Sequence, residues 1–110
     1  PNAARTAIAT LVFALAKEKE SATFNRAFNY LRKAPESSSY RQYYLYYGAQ
    51  AFFHASPQEW SKWNRKNITK LKQSQNEDGS WGGQFGTTFS TSASLLSIAL
   101  NYRFLPIYER

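Results

Sequence analysis

His54 is the only histidine in the chain and Asp78 the only aspartate, and there is no cysteine. A histidine serves as a general base when a carboxylate orients it, as in a Ser-His-Asp arrangement. None can be drawn around His54, so a packed or solvent-bonded imidazole is expected. Tyr40, Tyr43, Tyr44, Tyr46 and Tyr47 crowd one short segment. Their rings can line a pocket for an apolar polyene and stabilise cationic charge over their faces; alternatively they pack on one another with hydroxyls turned to water. Lys62, Arg65, Lys66, Lys70 and Lys72 follow. Such a run can neutralise phosphates, but no recognised nucleic-acid motif accompanies it, and a solvated outer face is expected. Without cysteine neither a disulfide nor a thiolate metal site can form. No catalytic constellation, metal site or cofactor is expected. Asn67-Ile68-Thr69 fits a glycosylation acceptor, but it falls inside a helical pattern, and chance accounts for it.

The tightest set of fixed spacings is Leu71-x3-Gln75-x3-Gly79-x-Trp81, inside LKQSQNEDGSW. Asp78-Gly79 is a turn pair in which glycine takes positive φ without steric cost. Gln75 can offer donors and acceptors to the unpaired peptide groups of a helix end, and Trp81 can lay its ring over whatever the turn exposes. This chemistry fastens one helix pair to the next and creates no nucleophile, base or metal ligand.

Helices must position these side chains. Ala3 to Ala16 carries Ile8, Leu11, Val12 and Leu15 at helical spacing, with Thr6 and Thr10 on another face. Ser21 can cap a second helix through Leu31, whose Phe24, Phe28 and Leu31 form its stripe; Ala34-Pro35 closes it. After the Ser37 to Ser39 link, Tyr40 to Ala55 is apolar on nearly every side, as in a helix buried over most of its circumference. Tyrosine clusters also form strands, which is the alternative there. Ser56-Pro57-Gln58-Glu59 reads as a capping box with proline at the first helical position, starting a fourth helix to about Ser74. Trp60, Trp63, Ile68 and Leu71 supply its inner stripe. A fifth helix is expected from about Ser90 to Tyr102.

Shifting the chain by about 40 residues brings Ala9 onto Ala49, Phe13 onto Phe53 and Leu31 onto Leu71. The pattern is a small-residue apolar helix followed by a more polar one, in pairs near residues 3–34 and 40–74 with a half pair at 90–102. The first helix of each pair is expected to face inward. The inward helices keep a thin polar stripe: Thr6 and Thr10; Tyr46, Gln50 and His54; Ser90, Ser94, Ser97 and Asn101. Such a stripe can face a water-containing cavity, which makes Tyr43, Tyr47, Gln50, His54 and Ser94 candidate lining residues. Alternatively its hydroxyls bond backbone carbonyls one turn back.

At 110 residues the chain has room for one domain, residues 1–110, all-α, and at 43% hydrophobic and 17% aromatic it should pack a core. Its net charge of +7 favours polyanions in general. The longest purely apolar run falls far short of the roughly 20 residues that span a bilayer, and no export leader is visible. The compartment stays undetermined. The chain opens PNAART and holds no methionine, so it is expected to be part of a longer product.

The Leu-x3-Gln and Gly-x-Trp spacing resembles the QW motif of the prenyltransferase and squalene oxidase repeat, found in terpenoid cyclases and related to the protein prenyltransferases. YYLYYGAQAFFHA, the W-x-x-W of Trp60 and Trp63, NEDGSW, FGTTFSTSASLLSIAL and YRFLPIYER are similar to the C-terminal part of bacterial proteins carrying these repeats. The resemblance covers residues 40–110 well and residues 1–39 by helix pattern alone. It implies an α/α toroid, an inner ring of helices inside an outer one, of which this chain supplies about five. In that family the motif's glutamine and tryptophan stack and tie the outer helices together, which implies those roles for Gln75 and Trp81, with Gly79 as the turn after Leu71. Lys70 stands where the family has an aromatic, the Lys/Arg-Gly pair is missing, and Pro35 falls where the first repeat's glutamine belongs.

The cyclases use a DxDD acid and the protein prenyltransferases an Asp, Cys and His zinc site; neither can be built from one Asp, one His and no Cys. Three functions are therefore carried forward. The first is a non-catalytic repeat segment with a structural or binding role, its partners being the rest of a longer chain or a second copy at open toroid edges. The second is a piece of an isoprenoid cyclase or transferase whose acid or metal lies elsewhere, with an apolar isoprenoid-like ligand. The third is a basic module for nucleic acid or anionic membrane.

Overall fold

The computed structural model describes residues 2–34 and 40–101. Five helices form, α1 (Ala3–Leu15), α2 (Ala22–Lys33), α3 (Arg41–Ala55), α4 (Pro57–Ser74) and α5 (Thr87–Ala99), with no strand among the described residues. Side chains start three of them. Asn2 Oδ1 accepts from the Arg5 N–H at 2.9 Å and Ser21 Oγ from the Phe24 N–H at 3.1 Å. Each supplies an acceptor that a helix's first turn lacks. Pro35, the Ser37 to Ser39 link, Tyr102 and the YRFLPIYER ending lie outside the described residues. The fifth helix begins earlier than the serine pattern predicts, because Thr87 and Thr88 already belong to it.

Ser56 serves two helices at once. Its N–H ends α3 on the Phe52 carbonyl at 3.0 Å, while its Oγ accepts from the Glu59 N–H at 3.4 Å to begin α4. Half of the capping box is therefore made. The Ser56 N–H is already taken, and the Glu59 carboxylate turns instead to Arg32 of α2 at 3.5 Å.

α1, α3 and α5 lie side by side and run in one direction. At one end Tyr43 of α3 meets Phe89 of α5, ring centres 5.3 Å apart, and shares a groove with Arg5 and Ile8 of α1. At the other end Lys19, just beyond α1, donates to the His54 carbonyl at 3.1 Å. α2 packs on α1, and α4 packs on α3 and α5. The result is a layer of three inner helices backed by two outer ones, an all-helical, repeat-like arrangement. No helix among the described residues is long and apolar enough to cross a membrane.

The inner layer owes its close packing to small side chains. Ala3, Ala4, Ala7, Thr10, Leu11 and Ala14 are the buried residues of α1, and α3 contributes Gly48, Ala49 and Ala51. This corrects the expected apolar face of α1. Only Leu11 of that set is buried; Ile8, Val12 and Leu15 are exposed. Spacing reports a bulky stripe, but alanines let two helix backbones approach, and the bulky stripe is left over. The core behind α3 is larger, with Leu31, Leu45, Phe52, Leu71 and Leu100 almost wholly buried. On α4 the expected inner stripe is partly replaced. Leu71 is buried, but Asn64 and Asn67 are more deeply buried than Trp60 or Ile68. Asn64 exchanges reciprocal amide bonds with Asn101 at 2.9 and 3.1 Å, and Asn67 Nδ2 donates to Ser97 Oγ at 2.9 Å. These bonds fix the register of α4 against α5, since a buried amide left unpaired costs more than the bond it makes.

Part of the polar stripe of the inner helices bonds its own backbone. Thr10 Oγ1 donates to the Thr6 carbonyl at 2.8 Å, Gln50 Nε2 to the Tyr46 carbonyl at 3.2 Å and Ser97 Oγ to the Ser94 carbonyl at 2.7 Å. Leu45 is 1% and Leu95 50% exposed. Leu45→Ala should therefore lower unfolding free energy by about 2–5 kcal/mol, and Leu95→Ala by under about 0.5 kcal/mol. Urea denaturation of the two variants checks which side of the inner layer is core.

Candidate functional site

The side of the inner layer turned away from α2 and α4 is apolar and aromatic. Tyr43 stands at its centre. Its ring lies 6.2 Å from Tyr40, 5.6 Å edge-on from Phe85 and 5.3 Å from Phe89, and Phe85 and Phe89 meet at 5.5 Å. These tilted and edge-on contacts are the favoured geometry of ring quadrupoles. Further along α3, Tyr46 and Tyr47 pair at 5.0 Å. Ile8, Val12 and Leu15 continue the face on α1, and Leu96 on α5.

Two grooves flank Tyr43. One, of about 250 Å³, runs between α3 and α5 and is lined by Gln42, Tyr43, Tyr46, Tyr47, Phe89, Ser92, Ala93 and Leu96. The other, about 350 Å³, lies between α1 and α3 against Ile8, Arg5, Tyr40 and Phe85. The first groove has no Lys, Arg, His, Asp or Glu in its lining, so it offers dispersion, ring faces and a few hydrogen-bonding groups rather than charge.

Of the five candidate lining residues, the structure brings Tyr43 and Tyr47 to this groove. Gln50 is engaged with its own helix, and Ser94 is 3% exposed and faces the interior. His54 lies beyond the groove, its ring edge-on to Phe53 at 5.4 Å. Burial holds the His54 imidazole below the usual histidine range, and the Lys19 charge adds to that. No carboxylate bonds to it among the described residues. Gln42, Phe89, Ser92, Ala93 and Leu96 are lining residues that sequence reading passes over. The signal for the last four was present: 89, 92, 93 and 96 are one helical stripe.

The Leu71–Trp81 segment is a corner. Gly79 sits at φ 89°, and its carbonyl accepts from Gln75 Nε2 at 2.8 Å. Asp78 Oδ1 accepts from the Ser80 N–H at 3.0 Å and the Ser80 hydroxyl at 2.6 Å, which holds its carboxyl below the usual range. The chain's one aspartate is thus spent on the turn. The Leu71 carbonyl at the end of α4 accepts from the Trp81 indole N–H at 3.0 Å and from the Ser74 hydroxyl at 3.4 Å, while the Trp81 backbone N–H donates to Thr91 Oγ1 at 3.0 Å. Leu45, Leu71 and Trp81 pack together with Ile98 and Trp63. Trp81, and not Gln75, answers the helix end and ties α4 to α5. Beyond it the chain passes so close to the core that a Cβ on Gly83 would stand 2.2 Å from both Gln42 Nε2 and Ser90 Oγ.

Lys62, Arg65, Lys66, Lys70 and Lys72 are all exposed on α4, in the outer layer. Among the described residues no three of His, Cys, Asp and Glu come together as metal ligands. No known protein family, curated protein or solved structure matches the chain.

Two measurements follow from these contacts. Trp81→Phe removes the indole N–H and leaves the Leu71 carbonyl only the longer Ser74 hydroxyl bond, so it should cost about 1–2 kcal/mol, whereas the exposed Gln75 bond is worth about 1 kcal/mol or less in Gln75→Ala; urea midpoints at constant m-value separate them. His54 binds its proton less readily folded than unfolded, so stability is full above about pH 6.5 and falls as pH drops below it. The melting temperature should decline from pH 7.5 to pH 5.5, and His54→Asn should flatten that decline.

Proposed function

We propose that this chain is a non-catalytic helical-repeat segment that works by binding, using the aromatic side of its inner helices to hold an apolar partner or ligand. The observation that carries the reading is the groove beside Tyr43. Apolar side chains exposed together on three neighbouring helices are the mark of a surface meant to be covered. The alternation of inner and outer helices and the Leu71–Trp81 corner support the α/α toroid geometry of the prenyltransferase and squalene oxidase repeat that the sequence resembles. In that geometry the flanks of α1 and α5, the latter with Leu95 exposed, meet further repeats or a second copy.

The aromatic lining also favours one alternative, a piece of an isoprenoid cyclase or transferase, because ring faces suit a polyene and its cations. Its acid or metal then comes from residues outside this chain. The basic stripe of α4 supports a nucleic-acid or membrane role only through charge.

N-phenyl-1-naphthylamine, a neutral apolar dye that fluoresces on leaving water, tests the proposal. The wild-type chain should bind it saturably. The double variant Tyr47→Lys/Leu96→Lys, placing charge on the groove, should weaken binding about tenfold or more. Failure of the wild type to bind overturns the reading. Squalene displacing the dye at far lower concentration than a saturated hydrocarbon of the same length favours the isoprenoid alternative.

A further inference from the structure

We infer that the groove between α3 and α5 selects a small neutral ligand with an apolar body and one hydrogen-bonding head, a hydroxyl or carbonyl, seated on the carboxamide of Gln42. The inference rests on the proposed binding role of the aromatic face and adds the chemistry of what it binds.

Gln42 is 6% exposed and lines the groove. Its amide makes no side-chain hydrogen bond among the described residues. Beside it, Ser90 Oγ is wholly buried and also has no partner among them. Both groups converge on the backbone of Gly83, where the 2.2 Å approach to a hypothetical Cβ shows that only glycine lets them adjoin. Buried polar groups are normally bonded, and each one left unbonded costs free energy. Ser90 Oγ is such a group, close by; the Gln42 carboxamide, in the groove lining and without a side-chain bond of its own among the described residues, is what a ligand head would satisfy. A carboxamide offers a donor and an acceptor, so it suits a hydroxyl, which is both, or a carbonyl.

The rest of the lining fixes the remainder of the ligand. With no ionised side chain in the groove, a charged head would be buried without a counter-charge, which disfavours it strongly. Tyr43, Tyr47, Phe89 and Leu96 supply ring faces and dispersion for the body. At about 250 Å³ the groove lies just under the roughly 300–1,000 Å³ of sites for drug-sized molecules. At about 30 Å³ per water-sized unit it admits about eight non-hydrogen atoms.

p-Cresol and toluene, which differ by one hydroxyl, are therefore the probes, titrated into the isotope-labelled chain and followed by amide NMR. p-Cresol should bind about tenfold more tightly than toluene and move the Gln42 side-chain amide signals, which toluene leaves in place. Gln42→Leu, which keeps volume and removes the unbonded amide, should bring the ratio to about one. Ser92→Trp, at an exposed position on the groove wall, should abolish binding of both, and the unperturbed spectrum of each variant reports its folding. Equal binding of the two probes to the wild type overturns the inference and leaves the apolar-face reading intact. The same holds if neither probe binds while the naphthylamine dye does. If the dye fails as well, both fall together.

Discussion

Trp63 holds the two layers together. Its ring stacks on Phe52 at 5.7 Å and 19°, meets Tyr44 edge-on at 6.3 Å, and donates its N–H to the Tyr44 hydroxyl at 2.9 Å. It packs against all three core clusters among the described residues. Gly48 leaves room for the Tyr44 ring that Trp63 meets, since a Cβ there would stand 3.2 Å from that ring. Phe28 extends the contact to α2, edge-on to Phe52 at 5.6 Å. These rings set the rotation of α3. With Tyr44, Gly48 and Phe52 turned toward the outer layer, helical geometry sends Tyr43 and Tyr47 to the other side. The aromatic face is thus a consequence of how the core is built, and α3 cannot rotate to hide it without breaking the Trp63 contacts.

The helices were legible because their signals are local. Ser21, the Ser56-Pro57 pair and Asp78-Gly79 act within a turn of where they stand, and the structure uses each as a cap or corner. The directions of side chains were less legible. On α1 the stripe of Ile8, Val12 and Leu15 is regular, yet the neighbouring alanines are buried, because helix approach rewards smallness and not hydrophobicity alone. Sequence pattern weighs the bulky residue more and so assigns the wrong face.

The candidate site was half legible for a related reason. Tyr43 and Tyr47 stand out by type, while Gln42, between Arg41 and Tyr43, looks like any surface glutamine. Its burial depends on Gly83, far along the chain, where the lack of a side chain lets the loop close over it. Such long-range contacts leave no mark at either position. The buried amides of Asn64 and Asn67 are equally silent, since their partners, Ser97 in α5 and Asn101 just beyond it, lie 30 and 37 residues away. His54 and Ser94 belong to a polar stripe of helical spacing, and packing places both away from the groove.

Charge and aromaticity are divided between the layers. The cations of α4 are exposed on the outer helix, and the groove lies beyond α3 on the opposite side. Packed helices stand about 8–10 Å apart axis to axis, so two layers separate the lysine tips from the groove by more than the roughly 8 Å over which salt screens charge at physiological ionic strength. The cations of α4 therefore contribute little at the groove. An anion drawn to the protein meets α4, where lysines in water hold it weakly; a neutral molecule that enters the groove is held by dispersion, ring faces and whatever bond Gln42 makes. Recognition in the groove between α3 and α5 is governed by shape and by one amide, and the lysines of α4 do not bear on it.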